Sequence, residues 1–206
     1  MSTAVTIPTG DVQGSLEMSK GEVLRDLTAA AIIESAATLL AERGEAVSME
    51  EIASAAGIGR ATLYRYFPNR DELLSAMAAA SVQELAARIE QANLEAVPFE
   101  EGLARLARGI IAIGSKYKYI ALSGHSAQLA ETYPDFEGKV IEPVRALFRR
   151  AIAQGSLRED LTPDVLMDLF SGLIRGALDA TAAGRRGVEE SAAAATTLFL
   201  YGARAS

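Results

Sequence analysis

The segment from Arg60 to Arg70, R-A-T-L-Y-R-Y-F-P-N-R, brings arginines, a threonine and two tyrosines onto one short stretch of chain. An arginine fork reaches two acceptors at once, on a guanine edge or on a phosphate, and threonine and tyrosine hydroxyls donate to phosphate oxygens. Arg60, Thr62, Tyr64, Arg65 and Tyr66 are therefore candidates for binding nucleic acid. Catalysis has no comparable foothold. The chain has no cysteine and a single histidine, His125, which excludes thiolate nucleophiles, iron-sulfur clusters and multi-histidine metal sites. The carboxylate pairs Glu50-Glu51 and Asp71-Glu72 fall in the first turns of predicted helices, where anions complement the helix dipole. No phosphate-binding glycine loop and no nucleophile-histidine-acid set can be composed. The expectation is a protein that is not an enzyme and holds neither metal nor cofactor.

The elements around these residues are legible from their caps. Ser48 followed by Glu51 is a capping box, in which hydroxyl and carboxylate each satisfy an otherwise unpaired backbone N–H, so a helix starts there. Ile52, Ala53 and Ala56 face inward along it, and Gly57 ends it. The turn Gly57-Ile58-Gly59 leads to a second short helix from Arg60 to Phe67, which Pro68 prevents from continuing smoothly. Ile52, Ala56, Ile58 and Leu63 fill the wedge between the two, as a helix-turn-helix requires, and leave the arginines and hydroxyl-bearing residues on or near the outer surface. Upstream, apolar residues at three- and four-residue steps predict a helix from Leu27 to Arg43, closed by Gly44. Downstream, Asn69 with Glu72 repeats the capping box and opens a long helix to about Glu95.

From about Ala31 to Leu74 the chain resembles the tetracycline-repressor-like transcriptional regulators, through I-I-E-S-A-A-T-L-L-A-E-R-G, the capping-box helix and G-I-G-R-A-T-L-Y-R-Y-F-P-N-R-D-E-L-L. The resemblance implies an all-helical homodimer with an N-terminal DNA-binding domain and a variable C-terminal domain that dimerises and binds a small molecule. It also implies that Ser48 caps the first motif helix and meets phosphate, that Arg60 and Thr62 face the major groove with Arg65 as a further candidate, that Tyr64 and Tyr66 touch the backbone, and that Arg70 is a basic phosphate contact. Two positions depart from the family pattern: Gly59 stands where serine or threonine often caps the recognition helix, and Leu40 replaces a frequent phenylalanine.

Composition frames the rest. A chain of 206 residues, 50% hydrophobic and 23% charged, is globular in character. Its net charge is −7, and residues 21–75 carry five arginines against nine acids, so few phosphate contacts beyond those named and a modest salt dependence are expected. Residues 1–21, with Pro8, Gly10, Gly14 and Gly21, read as a flexible arm in which Met18 is an alternative start. Helices are expected over 99–114, 116–124 and 137–154, the last carrying Pro143, with Tyr133-Pro134-Asp135 in a turn and Gly155 as a C-cap. Thr162-Pro163-Asp164 starts another helix, and a last one runs from about Val188 to Ala203 beyond the solvated Gly184-Arg185-Arg186-Gly187 loop. No alternating segment predicts a sheet, so the class is all-α, with a helix-turn-helix domain at 22–74 and a helical-bundle domain at 75–206.

The aromatics Tyr117, Tyr119, Phe148 and Phe170, with His125, are the candidates for a ligand pocket, and Tyr133 and Phe136 belong to the same aromatic set. Wide apolar stripes on the last two helices, with Gly172 and Gly176 four apart, predict a homodimer face. No run is long enough to span a membrane and no basic-then-apolar leader is present, which gives a cytoplasmic expectation. The function expected is a repressor that binds a palindromic operator in double-stranded DNA as a dimer and is released by a small molecule. An activator of the same fold, or a helical carrier or enzyme with an incidental helix-turn-helix, are the alternatives.

Overall fold

The computed structural model describes residues 20–122, 133 and 135–204, and among them it is built from helices, with one isolated bridge between Leu157 and Arg204 and no strand. The first domain contains α1 (Lys20–Arg43), α2 (Met49–Ala55), α3 (Arg60–Tyr66) and the start of α4 (Arg70–Ala92). α5 (Phe99–Lys116), α6 (Lys118–Leu122), α7 (Glu142–Ala153), α8 (Pro163–Ala182) and α9 (Val188–Ala203) follow. The all-α expectation holds. The expected arm and Met18 lie mostly outside the described residues, as does His125, although Lys20 and Gly21 are already helical.

Two boundaries differ from expectation for identifiable reasons. α1 begins well before Leu27, at Lys20; the added turns carry Val23, Leu24 and Leu27 exposed and so show no inward periodicity in the sequence, and Thr28 Oγ1 donates to the Leu24 carbonyl at 2.8 Å. The helix expected over 137–154 is divided: a π-helical turn at Glu137–Ile141 precedes α7, with Pro143 in the first turn. Proline has no N–H to donate and its ring crowds the carbonyl four residues back, so a widened turn just before it relieves the conflict.

The apolar side chains form two cores. The first gathers Ile32, Ala36 and Leu40 of α1, Ile52 and Ala53 of α2, Leu63 of α3, Leu73, Leu74 and Met77 of α4, and also Ile113, Tyr117 and Ile120 from the α5–α6 corner. The second surrounds four phenylalanines, Phe99, Phe148, Phe170 and Phe199, whose adjacent ring centroids lie 5.3 to 6.0 Å apart in edge-on or tilted contacts. That range suits the aromatic quadrupole, which favours edge-to-face over stacked rings. α4 runs through both cores, so residue 74 falls inside a continuous helix.

Candidate nucleic-acid interface

The helix-turn-helix is assembled by local hydrogen bonds that its sequence dictates. At the start of α2, Glu51 N–H donates to Ser48 Oγ at 3.2 Å, and Ser48 N–H donates to Glu51 Oε2 at 2.8 Å, completing the capping box. The Ser48 hydroxyl also donates to Glu51 Oε2 at 3.0 Å, and Arg43 Nη2 lies 2.6 Å from Glu51 Oε1. The Ser48 backbone N–H first, then the Arg43 guanidinium and the Ser48 hydroxyl, hold the Glu51 carboxyl down to about 2. At the other end, Gly57 N–H donates to Ser54 O at 3.1 Å and Ile58 N–H to Ala53 O at 3.0 Å, the Schellman pair. Gly57 takes the left-handed conformation this needs, with φ of 69°.

α3 follows with Gly59 at its N-cap, which has no side chain to offer, and Leu63 anchors the helix in the first core with no exposed surface. This anchoring leaves Arg60 and Arg65 exposed and Thr62, Tyr64 and Tyr66 half-buried around the same short helix. The Arg60 guanidinium lies 5.4 Å from the Tyr64 ring centre, and that of Arg65 lies 5.7 Å from the Tyr66 ring centre, so each exposed arginine is steered by a neighbouring ring. Arg25 of α1 joins Arg65 and Tyr66 around a shallow recess beside α3. One acid intrudes: Glu50 Oε1 is 3.0 Å from Arg60 Nη1, with both side chains substantially exposed. The exposed types alone gave no sign of it, because Glu50 stands in the preceding helix.

Arg70 is placed differently from the other candidates. Its Nη1 donates to the Val47 carbonyl at 2.5 Å, its Nη2 is buried without a hydrogen-bond partner, and the guanidinium sits 6.0 Å from the Tyr119 ring centre. In this conformation Arg70 ties the start of α4 to the residue before Ser48 and faces α6, rather than projecting to solvent.

The C-terminal aromatics are dispersed. Tyr117 is buried in the first core with its hydroxyl donating to Glu84 at 2.7 Å, and Tyr119 lies against Arg70. Phe148 and Phe170 fill the second core. A groove of about 960 Å³ lies elsewhere, between α4 and the π turn with α7. Val82, Ala86, Ile89 and Leu147 form its apolar wall, and Gln83, Glu90, Asn93, Lys139 and Tyr133 also line it. The Tyr133 hydroxyl donates to the Ser75 carbonyl of α4 at 3.0 Å. No residue type in one helix signals this groove, because it exists only through the separation of two helices distant in sequence.

An exposed Arg/Tyr-bearing helix seated on a capped helix, in an all-helical frame, defines a helix-turn-helix DNA-binding protein. Residues 32–77 match the family model described as bacterial regulatory proteins, tetR family. The chain is 29% identical to the HTH-type transcriptional regulator NfxB of Pseudomonas aeruginosa over 181 residues, 84% of this chain and 92% of that one. It is 25% identical to the HTH-type transcriptional repressor AcnR of Corynebacterium glutamicum over 77% of this chain and 85% of that one. Among solved structures, the TetR-like transcriptional regulator LfrR from Mycobacterium smegmatis in complex with proflavine matches with a TM-score of 0.68 at 25% identity, covering 85% of this chain and 96% of that one. Residues 32–77 thus carry the tetR-family DNA-binding segment, and the chain, similar to tetR-family regulators over most of its length, is a DNA-binding transcriptional regulator.

Proposed function

We propose that this regulator is a repressor that binds a near-palindromic operator as a homodimer and lets go when a small molecule occupies its C-terminal domain. The observation carrying this reading is the pairing of an outward-facing α3 with an uncovered apolar face on α8 and α9. On that face Val165, Leu169, Leu198 and Tyr201 are 42%, 56%, 65% and 85% exposed, and a Cβ added at Gly172 or Gly176 would meet nothing within 4 Å. A second copy covering this face places two recognition helices about one DNA turn, about 34 Å, apart. Arg60, Thr62 and Arg65 then read the major groove, and Ser48, Tyr64, Tyr66 and Arg70 hold the phosphates, Arg70 after turning outward from Val47 and Ser48 after its hydroxyl turns from Glu51 Oε2. Residues 22–74 supply the DNA-binding unit and 75–206 the effector and dimer unit. The groove beside α4 takes the effector, since its volume of about 960 Å³ lies within the range of small-molecule sites. LfrR, a relative, is known in complex with proflavine, a precedent for a small organic ligand. Operator DNA places the protein's work in the cytoplasm, and no described helix is long and apolar enough to cross a membrane.

The test is selection of genomic fragments by the purified protein at near-physiological salt, beside an Arg60→Ala, Tyr64→Ala double variant. Enrichment of a few near-palindromic sites by the wild type alone, with raised expression of the adjoining genes in a deletion strain, supports the reading. Equal enrichment by the folded variant would remove α3 from the contact, and lowered expression would make the protein an activator.

A further inference from the structure

Lys116, the last residue of α5, stands where the two domains meet. Its ammonium lies 2.6 Å from Glu34 Oε2 on α1 and 2.8 Å from Glu84 Oε1 on α4, and the Tyr117 hydroxyl donates to the same Glu84 oxygen at 2.7 Å. Partial burial disfavours the charged form of Lys116, but Glu34 and Glu84 outweigh it and hold the ammonium charged above the usual lysine range. The same partial burial pushes the Glu84 carboxyl upward, and the Lys116 ammonium and Tyr117 hydroxyl together bring it below its ordinary value. Around this cluster the contact between the domains is mainly apolar, Ile113, Tyr117 and Ile120 among the side chains of α1 to α4, with Arg70 over the Tyr119 ring as a further polar contact. Apolar burial is non-directional and tolerates a roll or slide of α1. Charge-assisted hydrogen bonds fix distance and direction. α4 carries Glu84 into the cluster and the adjacent Gln83 into the effector groove.

We propose that the Glu34–Lys116–Glu84 clamp, braced by Tyr117, sets the angle at which the DNA-binding domain is held on the C-terminal domain, and thereby the half-site spacing the dimer accepts. Lys116 is a positioning residue that never touches DNA. The proposal rests on the reading above, that the protein binds paired half-sites as a dimer. Glu34 is 61% exposed and Lys116 31%, so solvent screening limits each rung to a few-fold effect, and the dimer has two copies of it.

The experiment compares three fragments: a selected operator, the same operator with two base pairs inserted at its dyad, and a single half-site. The wild type, Glu34→Gln and Lys116→Met are titrated on each, with thermal unfolding alongside. The wild type is expected to discriminate strongly against the inserted operator, since two base pairs rotate one half-site by about 70° relative to the other. Both variants are expected to bind the operator about three- to tenfold more weakly, to lose the same factor of spacing discrimination, and to bind the half-site as the wild type does. Unchanged spacing discrimination in the variants overturns the clamp while leaving the regulator reading intact. Equal loss on the half-site also overturns it, because the residues then act by supporting the fold. If Lys116→Met does not fold, Glu34→Gln, which removes only the exposed rung to α1, decides the matter. A wild type that selects no DNA fails the regulator reading itself.

Discussion

At the scale of the residue, charge placement matters more than charge total. Glu50 lies beside Arg60 and carries a negative charge on the face proposed to meet phosphate. Glu50→Gln is expected to raise affinity for duplex DNA a few-fold at low salt, with the gain shrinking as salt screens the exposed pair. A fall in affinity instead would assign Glu50 to orienting Arg60. Glu51 gives a stability prediction of definite sign. The folded chain keeps its carboxyl ionised down to about 2, against 4.5 for the free group, so between those values the unfolded chain binds more protons. Stability is therefore lost as pH falls through that window, and the urea midpoint of Glu51→Gln should vary less there than that of the wild type. The sequence displayed the capping box and the Arg/Tyr face directly, since both depend on residues a few positions apart. The inward turn of Arg70 was not legible, because Val47 and Tyr119 lie on elements that only tertiary packing brings to it.

At the scale of the element, local signals worked where an end was marked by a cap. Thr162 Oγ1 accepts from Val165 N–H at 3.4 Å at the start of α8, as Thr-Pro-Asp foretold, and α9 spans Val188–Ala203 as read. They worked less well where a helix ran on without an inward face, as at the start of α1, or where a proline sat inside a periodic run, as before α7. Gly57 is the turn on which the motif depends. A Cβ there meets nothing within 4 Å, so Gly57→Ala should cost the left-handed conformation alone, about 1–2 kcal/mol, read as a lower urea midpoint. A change of only a few tenths would mean that the turn relaxes. The groove beside α4 had no precursor in any single stretch of sequence. Its shape is a property of helix placement: of the aromatic residues that looked suited to a pocket, Tyr133 lines the groove, while Tyr117, Phe148 and Phe170 fill cores and Tyr119 lies against Arg70.

At the scale of the whole molecule, the apolar face of α8 and α9 carries the most immediate prediction. A Leu169→Glu, Leu198→Glu double variant should sediment as a monomer at micromolar concentration with its helical spectrum intact, and should lose preference for paired over single half-sites. A dimer surviving both changes would move the interface elsewhere. The overall acidity, −7 for the chain, fits a regulator that relies on a few placed contacts rather than on bulk attraction to phosphate. The first core has a further consequence, because Ile113, Tyr117 and Ile120 are as much a part of it as Ile32 or Leu74. The recognition module is therefore not a portable cassette. A chimera that grafts residues 22–74 onto a relative's body would inherit a foreign floor beneath the helix-turn-helix, and a successful graft must carry the α5–α6 corner with it.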